Sequence, residues 1–163
     1  YKKNLDEFGR SLGEELLEPT ALYTGVLNKI LADVRFQEKI STMSHITGGG
    51  IAANLSRVLP QNTVLDVDRS SWSPQPVFRV MADIGSIDLF DLESTWNLGL
   101  GFAVAVRPES ATAISDAITT LGVKTWQLGE VRSADDVSVT DEYLVEAKGV
   151  RGGAVRLVGN YAS

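Results

Sequence analysis

The sequence contains no cysteine and a single histidine among its 163 residues. Disulfides, thiolate zinc sites and cysteine nucleophiles are therefore excluded, and His45 alone cannot build a histidine-rich metal site. Acidic residues outnumber basic ones by 21 to 15, and the formal net charge of −6 argues against a nucleic-acid partner, whose phosphates would be repelled. A small phosphorylated ligand remains compatible with this charge, because the donors around it decide its binding.

Long apolar runs are also missing. No stretch approaches the about 20 residues needed to span a bilayer, and the N-terminus has no signal-peptide pattern, so we expect a cytoplasmic protein without a membrane partner. The hydrophobic content of 44% and the mean hydropathy of +0.01 are nevertheless typical of a packed globule. The chain begins at Tyr1 instead of Met, which leads us to expect a piece of a longer protein.

The most informative stretch is the glycine-rich junction at residues 45–60, with the sequence HITGGGIAANLSRVLP. A β-compatible run over residues 40–47 meets three consecutive glycines, and a segment of helical periodicity then continues to Pro60. We therefore predict a strand, a glycine turn and a helix whose buried face carries Ile51, Leu55, Val58 and Leu59. Glycines allow close approach of a ligand, and the first amides of a helix lack internal partners, so this junction is typical of an anion site.

Two polar side chains follow the turn. Asn54 and Arg57 share a helix flank with Gly50, and a guanidinium can grip phosphate oxygens as a fork. The alternative interpretation is a flexible connection followed by a solvated arginine. The run matches neither the P-loop pattern nor the dinucleotide GxGxxG pattern.

Elsewhere the periodicity predicts a mixture of elements. A capping box at Ser11 and Glu14 starts a short helical turn, and Asp66 and Asp68 could hold a cation, although a solvated strand face is more typical of such a pair. The loop over residues 148–153 could bind an anion or be a solvated hairpin end. Helices are predicted over 20–33, 76–84, 87–95 and 108–120, and strands over 64–68, 98–106 (buried on both faces), 123–131, 142–147 and 154–161. Without strict alternation of these elements, the economical fold is α+β, with a mixed β-sheet layered with helices.

Three motifs, in order, resemble those of aminoimidazole ribonucleotide synthetase, also called phosphoribosylformylglycinamidine cyclo-ligase. They are LGEELLEPT at residues 12–20 with Tyr23, HITGGG at 45–50 with Asn54, Arg57 and Pro60, and TWNLGLGF at 95–102. The resemblance covers about residues 10–132. It implies the C-terminal half of a two-domain subunit, with residues 1–10 as a linker and 11–163 as a single domain. The N-terminal ATP-binding half would be absent.

The resemblance also implies a reaction and a site. The family closes formylglycinamidine ribonucleotide to aminoimidazole ribonucleotide in purine biosynthesis, hydrolysing ATP to ADP and phosphate. Asn97 would orient the amidine, and His45, the only side chain here that ordinarily exchanges a proton near neutral pH, is a candidate proton shuttle. The expected phosphate- or substrate-binding residues are Thr47, Gly48, Gly49, Gly50, Asn54 and Arg57. No metal ligands are expected in this chain, because ATP and Mg²⁺ would be held largely by the N-terminal half.

The expected partners are the ribonucleotide substrate and the N-terminal domain of the same protein, with a homodimer for the full-length protein. This chain by itself is predicted to be inactive. Two alternatives remain: a noncatalytic module that binds phosphate esters, or a related superfamily member of the formylglycinamide ribonucleotide amidotransferase, thiamine phosphate kinase or selenophosphate synthetase type.

Overall fold

A computed structural model describes residues 2–162, which form three β-sheets with helices packed around them. The strands are β1 (Asn4–Leu5), β2 (Arg10–Ser11), β3 (Ile40–His45), β4 (Thr63–Asp68), β5 (Phe102–Val106), β6 (Val131–Ser133), β7 (Leu144–Ala147) and β8 (Val150–Val158). The α-helices are α1 (Leu12–Leu16), α2 (Thr24–Ala32), α3 (Gly50–Ser56), α4 (Pro76–Gly85) and α5 (Ala111–Thr120). Short 3₁₀ turns cover Arg69–Ser71, Asp91–Ser94, Pro108–Ser110 and Ala134–Asp136.

The largest sheet has the strand order β6-β4-β8-β7 and is mixed. Its central strands β4 and β8 run parallel, with Val64 opposite Ala154, whereas β6 and β7 are antiparallel to their neighbours. A second sheet pairs β3 with β5 in antiparallel fashion and places His45 opposite Phe102. The third is the small β1–β2 pair. The predicted α+β fold with a mixed sheet is confirmed.

The main core lies between α3 and one face of the largest sheet. Ile51 is 0% exposed, and Leu55 and Leu59 are each 6% exposed, so three residues of the predicted apolar stripe face this core. Val58, the fourth, is only half-buried, and the helix ends at Ser56 instead of continuing to Pro60. A separate cluster joins α2 and α5 through buried Ile30 and Ile114. The helix that follows the glycine turn is therefore anchored along its buried side. Within residues 2–162, no helix combines the length and apolar character needed to cross a membrane.

The helix predicted from Thr20 begins only at Thr24. Tyr23 occupies the N-cap position and makes no side-chain capping bond. Residues 18–23 form no regular element, although the apolar periodicity of the sequence continues through part of this segment. The capping box at Ser11 and Glu14 is confirmed at the start of α1.

Two predicted strands are shorter than expected. The run over residues 98–106 becomes a strand only from Phe102, because Leu98 and Gly99 adopt positive φ angles of 49° and 93° in a turn. All residues of β5 are half-buried, so the prediction of burial on both faces is also wrong. Of the run over 123–131, only Val131 joins a strand. Its alternation reflects Trp126 and Leu128 packing on the main core, not a hydrogen-bonded ladder.

Candidate functional site

The glycine turn, residues Thr47–Gly50, connects β3 to α3. The Gly50 amide donates to the Thr47 carbonyl at 3.2 Å, which closes the turn. Gly49 and Gly50 have φ angles of 100° and 70°, a conformation that residues with a side chain rarely adopt. A Cβ atom at Gly50 would overlap the Glu93 carbonyl, whereas Gly48 is exposed and a Cβ atom there would meet nothing within 4 Å. Glycine is therefore required structurally at Gly50, and Gly48 remains accessible.

Asn54 supports the turn from beneath. It is 0% exposed, and its side-chain amide donates to the Gly50 carbonyl at 2.7 Å and to the Thr47 carbonyl at 3.1 Å. Its Oδ1 accepts a hydrogen bond from the guanidinium of Arg57, whose Nε also donates to the Ala53 carbonyl at 3.3 Å. Both amide hydrogens of Asn54 are thus used within the protein. The structure brings the predicted turn and flank residues together, with Asn54 and Arg57 acting as its internal support.

The turn borders an open cleft of about 760 Å³. The cleft is lined by Gly49, by Glu93 and Ser94 of the neighbouring 3₁₀ turn, and by residues of the β7–β8 hairpin. From that hairpin Lys148 reaches across, and its Nζ donates to the Gly48 carbonyl at 2.8 Å. The sequence marks the Lys148 loop as a possible anion site, but it cannot show that this loop meets a turn 100 residues earlier.

A partly buried ion pair lies in the wall of the cleft. Arg69 donates to both carboxylate oxygens of Glu93, at 2.6 and 2.8 Å, and Tyr161 donates to the same carboxylate at 2.6 Å. Burial, together with the hydrogen bond to Glu93, raises the pKa of Tyr161 well above its usual range. Because the Glu93 carbonyl faces Gly50, this cluster holds the backbone against which the glycine turn packs. Sequence reasoning missed the cluster, since its members are far apart in the chain.

The two predicted catalytic side chains occupy different surroundings. His45 is exposed at the end of β3, with its ring stacked 5.9 Å from that of Phe102 and edge-on to Tyr23 at 6.1 Å. Asn97 is half-buried, and its Oδ1 accepts from the Gly99 amide at 3.0 Å. Among residues 2–162, no hydrogen bond links either side chain to the glycine turn. His45 is near the turn in sequence, whereas Asn97 stabilises a turn of its own.

The carboxylates of β4 do not fit a divalent cation. Asp66 accepts hydrogen bonds from Arg132 at 2.6 Å, Arg156 at 2.7 Å and Tyr143 at 2.8 Å. Burial alone would raise the pKa of Asp66, but the bonds from Arg156 and Tyr143 outweigh it and hold the pKa below its usual range. Asp68 caps the 3₁₀ turn that follows it. The described part of the chain contains no group of three His, Asp or Glu side chains arranged to hold a metal ion.

Comparison with known proteins agrees with the fold. A family described as AIR synthase related protein, C-terminal domain, matches residues 1–142. A Streptomyces fradiae protein named putative phosphoribosylformylglycinamidine cyclo-ligase is 41% identical over 150 residues, covering 88% of this chain and 80% of its own length. The phosphoribosylformylglycinamidine cyclo-ligase of Bacillus subtilis (strain 168) is 35% identical over 133 residues, covering 82% of this chain. The chain spans only 37% of the length of that relative.

Among solved structures, E. coli HypE, a hydrogenase maturation protein, superposes with a TM-score of 0.56 at 21% identity. The superposition covers 93% of this chain and 42% of HypE, and at this identity it shows a shared fold alone. The family match and the Streptomyces relative go further and confirm the resemblance read from the three motifs. The chain therefore belongs to the family of AIR synthase related proteins, whose C-terminal domain it matches.

Proposed function

We propose that this chain is the C-terminal half of an ATP-dependent cyclo-ligase that converts formylglycinamidine ribonucleotide to aminoimidazole ribonucleotide, and that its glycine turn holds the substrate's ribose phosphate. The names of the relatives support the reaction class. The observation that carries the site is the turn itself: Gly48 is exposed, Gly49 lines the cleft, and within residues 2–162 neither amide has a hydrogen-bond partner. Free backbone amides at an open cleft are suitable donors for a phosphate group.

The proposed reaction requires no covalent catalysis by the C-terminal half. ATP phosphorylates the formyl oxygen, the amidine nitrogen then attacks the formyl carbon, and phosphate leaves from that carbon. Such a reaction depends on positioning and charge stabilisation more than on a protein nucleophile. The turn would fix the ribonucleotide by its phosphate, while His45 would relay a proton and Asn97 would orient the amidine. The rigid support beneath the turn, from Asn54, makes that positioning reproducible.

We expect ATP and Mg²⁺ to be bound largely by the part of the Bacillus relative that this chain does not match. Asp66 and Asp68 are already engaged by protein donors, so we assign no metal-dependent step to them. The N-terminal domain of the same protein is then the first partner of this chain, and the full-length protein should form a homodimer. By itself, the chain should bind the ribonucleotide without turning it over.

A reconstitution assay tests this function. The chain is incubated with formylglycinamidine ribonucleotide and Mg-ATP, alone and with the N-terminal part of the Bacillus relative. We expect aminoimidazole ribonucleotide only in the mixture, and much less of it with Arg57→Ala than with the distant, exposed control Arg35→Ala. Product formed by the chain alone would contradict the predicted inactivity. Ribonucleotide binding without product in the mixture would instead favour a noncatalytic phosphate-ester module.

A further inference from the structure

The β7–β8 hairpin places one lysine against the glycine turn. Lys148 and Gly149 form its two-residue connection, with φ angles of 53° and 75°, as turns that match the twist of paired strands require. Pairing of Ala147 with Val150 fixes both ends of this connection. Lys148 Nζ lies 2.8 Å from the Gly48 carbonyl oxygen, and its Cε would lie 3.6 Å from a Cβ at Gly49. The lysine is therefore positioned at the turn by the sheet.

Among the described residues that line the cleft, Lys148 is the cation without a carboxylate partner. The other two cations that line the cleft are each paired with a carboxylate, Arg69 with Glu93 at 2.6 Å and Arg156 with Asp66 at 2.7 Å. Within residues 2–162, Lys148 has no carboxylate within 4.0 Å. Its positive charge is thus available to a ligand, whereas the charges of the two arginines are already compensated.

The carboxylate nearest to Lys148 in sequence, Glu146, also lines the cleft. In the hairpin register Glu146 lies directly opposite Arg151, so a cation faces it across the strands. Residues opposite each other in an antiparallel pair have neighbouring side chains. Glu146 therefore offers a matched control, because neutralising it alters the charge beside Lys148 without removing the ammonium.

The donors at this position match a phosphate monoester. An ammonium group has three hydrogens, and the Gly48 carbonyl uses only one of them. The Gly48 and Gly49 amides are without partners among the described residues. Arg57, the cation expected from the sequence, is instead directed to Asn54 and to a helix carbonyl. Lys148 is therefore the cation that faces the cleft beside the open amides.

We propose that Lys148 is a ligand-binding residue of the glycine-turn site, and that it supplies the ammonium group that binds the phosphate of a ribose phosphate ester in the cleft. This inference rests on the proposed function, because it names the cation of the same site. Lys148 lies outside residues 1–142, the part of the chain that the family match covers. The match therefore provides no role for it, and the assignment depends on the contact across the fold.

The test is an amide NMR titration of the whole chain with ribose 5-phosphate, with ribose as the ligand that lacks phosphate. Lys148→Met removes the charge and the bond to Gly48, Lys148→Gln keeps a donor for that carbonyl without the charge, and Lys148→Arg keeps the charge. We expect the dissociation constant to rise about tenfold in the Met and Gln variants, as for loss of a charge-assisted hydrogen bond, and to change about threefold or less in Lys148→Arg. Glu146→Gln should bind at least as tightly as the unmodified chain.

Two results would overturn the inference, and they are distinguishable. If the unmodified chain shifts at Gly48 and Gly49 and Lys148→Gln binds equally well, Lys148 only ties the hairpin to the turn, and the phosphate site stands without it. If the unmodified chain shows no shift at these glycines, the proposed phosphate site itself fails. Spectra of the free variants report whether the turn is intact, and Lys148→Gln decides the question if Lys148→Met disturbs it.

Discussion

Replacing Asn54 by alanine should loosen the glycine turn more than it affects any other part of the chain. The side chain is fully buried and donates two hydrogen bonds, at 2.7 and 3.1 Å, while accepting a third from Arg57. Each hydrogen bond contributes about 1 kcal/mol net, and the cavity left by truncation adds to the loss. We therefore expect Asn54→Ala to lower the free energy of unfolding by about 3 kcal/mol.

Ser56→Ala is the matched control. Ser56 lies on the same helix, is also 0% exposed, and donates one hydrogen bond, to the Gly153 carbonyl at 2.7 Å. Its loss should cost about 1–2 kcal/mol and leave the glycine turn unchanged. Urea unfolding gives the two free energies, and the amide shifts of Gly48 and Gly49 report the turn. The reasoning is refuted if Asn54→Ala costs no more than Ser56→Ala and leaves those amides where they were.

Three further outcomes follow from the contacts. Gly50→Ala should lower the free energy of unfolding by about 3 kcal/mol or more, because its Cβ would overlap the Glu93 carbonyl. Gly48→Ala, the control, should change that free energy by no more than about 0.5 kcal/mol. Similar costs for the two variants would argue against the described turn. The lowered pKa of Asp66 means that its stabilising contribution is present above the unfolded value of about 3.9 and is lost as pH falls through the lower native value. Asp66→Asn should therefore reduce stability at pH 7 and flatten its acid dependence in urea unfolding, and an unchanged pH profile would contradict this. Tyr161→Phe should cost about 1–2 kcal/mol, and the native Tyr161 hydroxyl should ionise above the ordinary range of a tyrosine in an absorbance titration; ordinary ionisation would refute its burial against Glu93.

The parts of the fold that the sequence predicts are those encoded by neighbouring residues. The spacing of Ile51 and Leu55 identifies the buried face of α3, because helical spacing requires only local information. The capping box at the start of α1 is similarly local. The glycine junction is recognisable for the same reason, since consecutive glycines between two apolar patterns mark a turn whatever the rest of the chain does.

The remaining features depend on pairs that are distant in the chain. The parallel pairing of β4 with β8 joins segments about 90 residues apart, and no local pattern specifies it. The contact between Lys148 and Gly48 depends on that pairing, because β8 carries the hairpin to the turn. Asn54 illustrates a different limit: its spacing places it beside the turn, but only the structure shows that its amide points inward to backbone carbonyls.

An amide NMR titration of the chain with formylglycinamidine ribonucleotide shows directly whether the glycine turn holds the phosphate of the substrate. Gly122, in an exposed turn that follows α5, provides an internal control. We expect saturable shifts at Gly48 and Gly49 while Gly122 stays still. Unmoved Gly48 and Gly49 amides in a folded chain, or an equal response at Gly122, would contradict it.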